Sequence, residues 1–129
     1  MIRLGKEKES LRVVNDQIGT PTCAADLAKA ILRIIEESET TNTFQSGIYH
    51  YSNEGVCSWY DFCLKIHEFA GITTCRVLPV STDEYPVRAA RPLYSVLDKT
   101  KIKTTFHLTI PHWEESLKSV VQRAGMIIK

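Results

Sequence analysis

Cys57 in "EGVCSWYDF" stands two residues before a tryptophan and just ahead of a helical pattern, where a helix N-terminus can lower a thiol pKa. The flanking glycine and serine have the wrong spacing for a thiol nucleophile, and His50, His67, His107 and His112 carry no partner motif that would make one of them its base. Packing at the edge of the helix is therefore the reading for Cys57. The histidines show no HExxH-type spacing, so no metal site is expected, and His67, on an amphipathic helix, should be solvated or half-buried. Arg88 and Arg91 flank a proline-bounded loop, where a guanidinium fork on a stiff backbone suits bidentate capture of a phosphate. Pairing with a nearby acid is the commoner fate of such an arginine. The six glycines form no GxGxxG, GxxGxxG or Walker pattern, so a complete nucleotide-cofactor cradle is not expected.

These residues must be positioned by a chain of 129 residues, the size of one domain with a real core. Apolar residues make up 43% and charged residues 24%, ordinary values for a globular protein. Sixteen Lys and Arg against fifteen Asp and Glu leave a net charge of +1, without the basic excess of a nucleic-acid binder. No apolar run approaches the roughly 20 residues of a membrane span, and Met1–Ser10 holds no signal-type hydrophobic segment. A cytoplasmic protein with reduced structural cysteines is expected, Cys63 packing as a small hydrophobe.

The opening "MIRLGKEKES" reads as the last turn of a helix with a glycine stop, as though the start were truncated. "SLRVVN", "IYHYSN" and "CRVLPVST" read as strands, and "LYSVL" as a further short one. Between them, Thr22 is the expected N-cap of a helix whose face, Leu27, Ala30, Ile31, Ile34 and Ile35, should pack on a sheet. "SWYD" is a capping box opening a second helix with the stripe Trp59, Phe62, Cys63, Ile66 and Phe69, ended by Gly71. Asp98 should cap a short helix over 99–103, and Lys99, Lys101 and Lys103 should form a solvated face. Pro111 reads as the first-turn proline of a final helix, with Glu114 and Glu115 against its dipole and Trp113, Leu117, Val120, Val121 and Ala124 as its apolar face. Alternating strands and helices give an α/β class.

Three segments in order, "VVNDQIGTPTCAADLA", "GIYHYSNEGVCSWYDF" and "YPVRAARPLYSVLD", resemble the C-terminal part of the dTDP-4-dehydrorhamnose reductase family within the extended short-chain dehydrogenase/reductases. The specific parts are DQxGxPT, Asp16 to Thr22, and RPxxSxLD, Arg91 to Asp98; the resemblance runs from about Met1 to Gly125. It implies a mixed α/β substrate-binding lobe, 1–129, of a Rossmann-type reductase whose N-terminal dinucleotide-binding part is absent.

By the same resemblance the intact enzyme uses NADPH to convert dTDP-4-dehydro-6-deoxy-L-mannose to dTDP-L-rhamnose, with a Tyr-x-x-x-Lys pair in the N-terminal part. No tyrosine here has a lysine four residues on, so no catalytic or cofactor-binding residue is assigned and this chain alone should bind no NADPH and be inactive. Asp16, Gln17, Thr20, Thr22, Arg91 and Ser95 are the implied substrate-binding set. Within it Gln17 and Thr20 face the sugar, Arg91 the diphosphate, and Ser95 adds a hydroxyl; Thr22 or Asp26 anchors the following helix. Trp59 either offers a flat face to a base or sugar or packs in the core, and its stripe position favours the core. The expected partners are a dTDP-sugar, the Rossmann domain and, through the face left open, a second copy. The alternative is a free-standing nucleotide-sugar-binding or regulatory module without catalysis.

Overall fold

The computed structural model of the protein describes residues 1–85 and 89–127. Arg88 lies outside the described residues. In chain order the elements are α1 (Ile2–Glu7), β1 (Ser10–Val14), β2 (Ile18–Gly19), α2 (Ala24–Thr41), β3 (Cys57–Ser58), α3 (Trp59–Phe69), β4 (Arg76–Val80), a 3-10 turn (Thr82–Glu84), α4 (Thr100–Thr105) and α5 (Trp113–Ile127). The α/β class expected from the sequence is thus observed.

Two of the expected strands, β1 and β4, pair in parallel, Leu11 opposite Val77 and Val14 opposite Val80. Their β-branched residues Val13, Val14 and Val80 are buried. Helix α3 lies against both strands and against α5. It starts at the capping box read from sequence: the Asp61 N–H donates to Ser58 Oγ at 3.0 Å, and the Ser58 N–H to Asp61 Oδ2 at 3.0 Å. It ends with Gly71 at φ +65°, a left-handed position that glycine fills without strain. Cys57, Ile66, Trp113, Leu117 and Val121 form one core cluster, with Phe62 and Phe69 packed on it. Val120, assigned to the same face of α5, stays 41% exposed.

Several local expectations are corrected by long-range contacts. Gly5 lies inside α1 and does not stop it. A Cβ there would come 2.6 Å from His67 Nε2, so the glycine serves a close approach, and His67 beneath it is buried. Thr22 does not cap α2; the cap residue is Cys23, whose N–H donates to Asn53 Oδ1 at 2.7 Å. An acceptor arriving from 30 residues away has replaced the local one. Of the apolar face of α2 only Ala30 is fully buried, and Ile34 packs against Ile102, Phe106 and Ile110 rather than on a sheet. Ile31 and Ile35 remain 48% exposed.

"IYHYSN" has strand-forming residues but no strand partner among the described residues. Tyr49 and Tyr51 pack on the α4 cluster, and Lys101 donates to the Ile48 carbonyl at 3.0 Å while lying over the Tyr49 ring. "LYSVL" makes a single bridge, Tyr94 to Ile18. Asp98 is not the cap residue of α4, which is Lys99; it lies one residue further out and accepts from the Thr100 N–H at 2.8 Å. Lys99 is buried rather than solvated: Nζ donates to the Asn53 carbonyl at 2.8 Å and pairs with Glu54 at 3.0 Å, and Lys103 pairs with Glu54 at 2.9 Å. Pro111 precedes α5 by two residues, and its carbonyl accepts from the Glu54 N–H at 2.9 Å.

Candidate functional site

The loop leaving β1 is fastened at nearly every residue. Asp16 accepts from the Thr82 N–H at 2.9 Å and from the Thr82 hydroxyl at 2.7 Å. These two donors hold its carboxyl below the usual carboxylate range. Gln17, nearly buried, donates from Nε2 to Thr82 Oγ1 at 3.0 Å. Ile18 donates to the Leu93 carbonyl at 2.7 Å and accepts from the Ser95 N–H at 2.9 Å, while β2 pairs antiparallel with β3 on its other side. β2 is thus the middle of three extended segments. Gly19 allows them to close: a Cβ there would lie 3.0 Å from Ser95 Oγ. The Thr20 hydroxyl donates to the Gly55 carbonyl at 2.9 Å. Gly55 itself has φ +83° and lies directly under the His112 ring, which leaves no room for a side chain.

Behind the loop, the fully buried Asn53 ties three elements together. Besides accepting from Cys23, it donates from Nδ2 to Asp26 Oδ2 at 2.9 Å, Ser116 Oγ at 3.0 Å and the Pro111 carbonyl at 3.2 Å. Ser116 also donates to Asp26. Burial raises the Asp26 pKa, but the Ser116 and Asn53 donors together with the Lys29 charge and Cys23 outweigh it, and the carboxyl sits below its ordinary value. Of the two anchors proposed for α2, Asp26 is the one so engaged.

The result is a cavity of about 210 Å³ lined by Gln17 to Pro21, Cys57 to Trp59, Phe62, Arg91, Pro92 and Ser95. Four of the six sequence-assigned residues, Gln17, Thr20, Arg91 and Ser95, come together here. The other two do not. Asp16 has its carboxylate turned to Thr82, and Thr22, past the Pro21 corner, lines a different cavity between the start of α2 and α5. The Ser95 hydroxyl bonds the Ile18 carbonyl at 3.3 Å, and Arg91 and Ser95 are both exposed.

Trp59 corrects its core assignment. It is 51% exposed on the cavity wall, with its ring edge-on to Phe62 at 6.4 Å between centroids; Phe62 in turn meets the buried Trp113 at 5.8 Å. Helical spacing alone places Trp59 on the stripe, yet it is the first residue of α3, and it is Phe62, one turn on, that meets Trp113 of α5. A second cavity of about 370 Å³ adjoins the first and shares Gln17, Trp59, Phe62 and Arg91 with it. Sequence reasoning missed two of its lining residues, Arg12 and Tyr85. Arg12 lies in a strand outside any motif, and Tyr85 opens the "YPVRAARPLYSVLD" segment but precedes its specific RPxxSxLD part.

Cys57 lies on the cavity wall as a packed, buried thiol. Burial, assisted by the charges of Asp61 and Glu114, pushes its thiol up to about 12, so at neutral pH it is protonated. What the cavity offers is a guanidinium, hydroxyl groups and an aromatic face, which suits binding of an anionic ligand that carries rings.

Residues 1–126 match the family described as the RmlD substrate binding domain. Among curated proteins the chain is 41% identical over 122 residues to the spore coat polysaccharide biosynthesis protein SpsK of Bacillus subtilis, covering 95% of this chain and 40% of that protein. It is 38% identical over 127 residues to a dTDP-4-dehydrorhamnose reductase of Aggregatibacter actinomycetemcomitans, covering 93% of this chain and 42% of the relative. The dTDP-4-dehydrorhamnose reductase of Bacillus anthracis, solved in complex with NADP, superposes with a TM-score of 0.85 at 43% identity, over 95% of this chain and 41% of that one. A Clostridium acetobutylicum ortholog superposes with a TM-score of 0.87 at 40% identity, over 97% and 42% of the two chains. The chain thus spans about two fifths of the length of the relatives it matches. With that match over nearly its whole length, the chain belongs to the RmlD substrate-binding domain family.

Proposed function

We propose that this chain is the substrate-binding lobe of an NADPH-dependent reductase that converts dTDP-4-dehydro-6-deoxy-L-mannose to dTDP-L-rhamnose. The observation that carries this reading is the convergence of Gln17, Thr20, Arg91 and Ser95, from two distant segments, on one cavity. Relatives named dTDP-4-dehydrorhamnose reductase, one of them solved with NADP, supply the reaction. Arg91 faces the diphosphate as a fork of donors. Thr20, its proton engaged by Gly55, offers lone pairs to a sugar hydroxyl, and Ser95 adds a second oxygen. Asp16 acts through Thr82, holding Gln17 in place rather than touching substrate. Thr22 has no part in this cavity.

The residues of this chain do not fit the dinucleotide itself: its glycines form no phosphate-cradling turn and no Tyr-x-x-x-Lys pair is present. Binding energy from the remote nucleotide would instead orient the reacting carbonyl toward a cofactor held by another domain. Leu93, Tyr94 and Leu97, all exposed around Ser95, support such a body closing over the cavity. The test is calorimetric titration of the chain with dTDP and with dTDP-L-rhamnose. Saturable binding of both, weakened at least tenfold by Arg91→Ala, is the expected result. Absence of binding by either ligand contradicts the reading. NADPH oxidation by the chain alone on adding the dTDP-4-keto sugar would contradict its purely substrate-binding role.

A further inference from the structure

A cavity of about 340 Å³ lies between α2 and the turn that leads into α5, and it shares no residue with the cavities described above. Lys29 and Arg33, one helical turn apart, bring an ammonium and a guanidinium to its α2 wall. Tyr51 and Thr109 complete the polar lining from two other segments. Arg33, the Tyr51 phenol and the Thr109 hydroxyl have no ion-pair or hydrogen-bond partner among the described residues. The Tyr51 ring is packed on the α4 cluster, which fixes where its hydroxyl stands. Burial, with the charges of Asp26 and Cys23, pushes that phenol up to about 12, so it keeps its proton and acts as a donor. Asp26 is the acid on this wall. Its Oδ2 is already engaged by Asn53 and Ser116, and Lys29 stands 3.9 Å from its Oδ1, so the cations outnumber the acid here.

We infer that this cavity is a second anion site, which takes the phosphate group of a phosphate monoester between Arg33, Lys29, the Tyr51 phenol and the Thr109 hydroxyl. A guanidinium fork, a point charge and two hydroxyl donors arriving from three segments match an anion with several oxygens, whereas a carboxylate would leave some of them unused. Ala30, Leu108 and Pro111 supply apolar wall for the organic body of the ester. A ligand held there ties α2 to the turn before α5, where the Pro111 carbonyl already accepts from Asn53 and from the Glu54 N–H.

The experiment follows the amide NMR shifts of the labelled full chain during titration with inorganic phosphate and with phenyl phosphate, in the parent and in its Arg33→Ala, Tyr51→Phe and Arg91→Ala variants. Both probes should give saturable shifts at Arg33, Tyr51 and Thr109, with phenyl phosphate binding about fivefold tighter. Arg33→Ala should weaken both probes about tenfold and Tyr51→Phe about threefold, while Arg91→Ala leaves these shifts unchanged. Absence of saturable shifts at the three residues overturns the inference, and so does unchanged affinity in Arg33→Ala. Loss of the shifts in Arg91→Ala places the phosphate in the nucleotide-sugar cleft and also overturns it. Equal affinity for the two probes overturns the monoester assignment in favour of the free ion.

Discussion

Asp16 and Thr82, 66 residues apart in sequence, are joined twice, the Thr82 backbone N–H and its hydroxyl each donating to one carboxylate oxygen of Asp16. The same hydroxyl oxygen accepts from Gln17 Nε2, so the turn after β4 fixes the loop after β1. An acid at the head of a binding motif thus holds the motif's shape. Asp16→Asn should lower the affinity for dTDP by roughly threefold through misplacement of Gln17, while an Asp16→Asn/Thr82→Ala double variant should lose little more than the worse single one. Titration of the four proteins of that cycle checks the coupling. Because the folded pKa of Asp16 lies below its unfolded value, the contribution of this contact is complete above about pH 4 and lost as pH falls through the folded pKa.

Asn53 should be the most sensitive polar position in the chain. Its side chain is fully buried and serves Cys23, Asp26, Pro111 and Ser116 at once. Asn53→Ala strands the Cys23 N–H and removes a donor from the partly buried Asp26 carboxylate, a loss of about 3 kcal/mol. Asn53→Asp should cost more, since it sets a second carboxylate against Asp26. Urea denaturation followed by far-UV circular dichroism reads both values.

His67 predicts a second pH dependence, distinct from that of the carboxylates. Burial pushes its imidazole below the ordinary value of 6.5, under the backbone of Gly5 and 4.0 Å from Cys63 Sγ. The unfolded chain therefore takes up this proton first. Stability should be complete above about pH 6.5 and erode as pH falls toward the folded pKa, a slope that His67→Gln removes. Denaturant midpoints collected from about pH 7 to 5 test this, and an unchanged slope in the variant contradicts it.

The cysteines give a prediction about reactivity. Cys57, Cys63 and Cys75 are buried and Cys23 is partly exposed. The Cys57 and Cys63 thiols are both raised in pKa, by burial first. Iodoacetamide at about pH 8 should modify Cys23 first and leave Cys57 and Cys63 intact until denaturant is added. Peptide mass spectrometry resolves the order. Rapid alkylation of Cys57 in the folded chain would contradict the protonated, packed thiol described above.

The elements that could be read from the sequence are those whose reasons are local. The capping box at Ser58, the glycine after α3 and the β-branched runs of β1 and β4 depend on neighbours within a few residues, and each was found where expected. What failed depends on distant partners. Thr22 lost its capping role to Asn53, Lys99 left the surface for Glu54 and the Asn53 carbonyl, and Gly5 serves His67 rather than ending a helix. "IYHYSN" has strand propensity, and propensity supplies no partner strand. Of the site, the DQxGxPT and RPxxSxLD segments led to Gln17, Thr20, Arg91 and Ser95, whereas Arg12 and Tyr85 reach the cavity only through the pairing of β1 with β4 and the turn that follows.

The central claim is that the face between the Gln17–Pro21 loop, the start of α3 and Arg91–Ser95 binds a nucleotide sugar. Amide and indole NMR shifts recorded during titration of the labelled chain with dTDP test it most directly. The account predicts saturable shifts at Ile18, Gly19, Thr20, Ser58, Arg91, Ser95 and the Trp59 indole, with the buried Trp113 indole as a quiet internal reference. No saturable shifts, or shifts confined to α2 and α4, would contradict it.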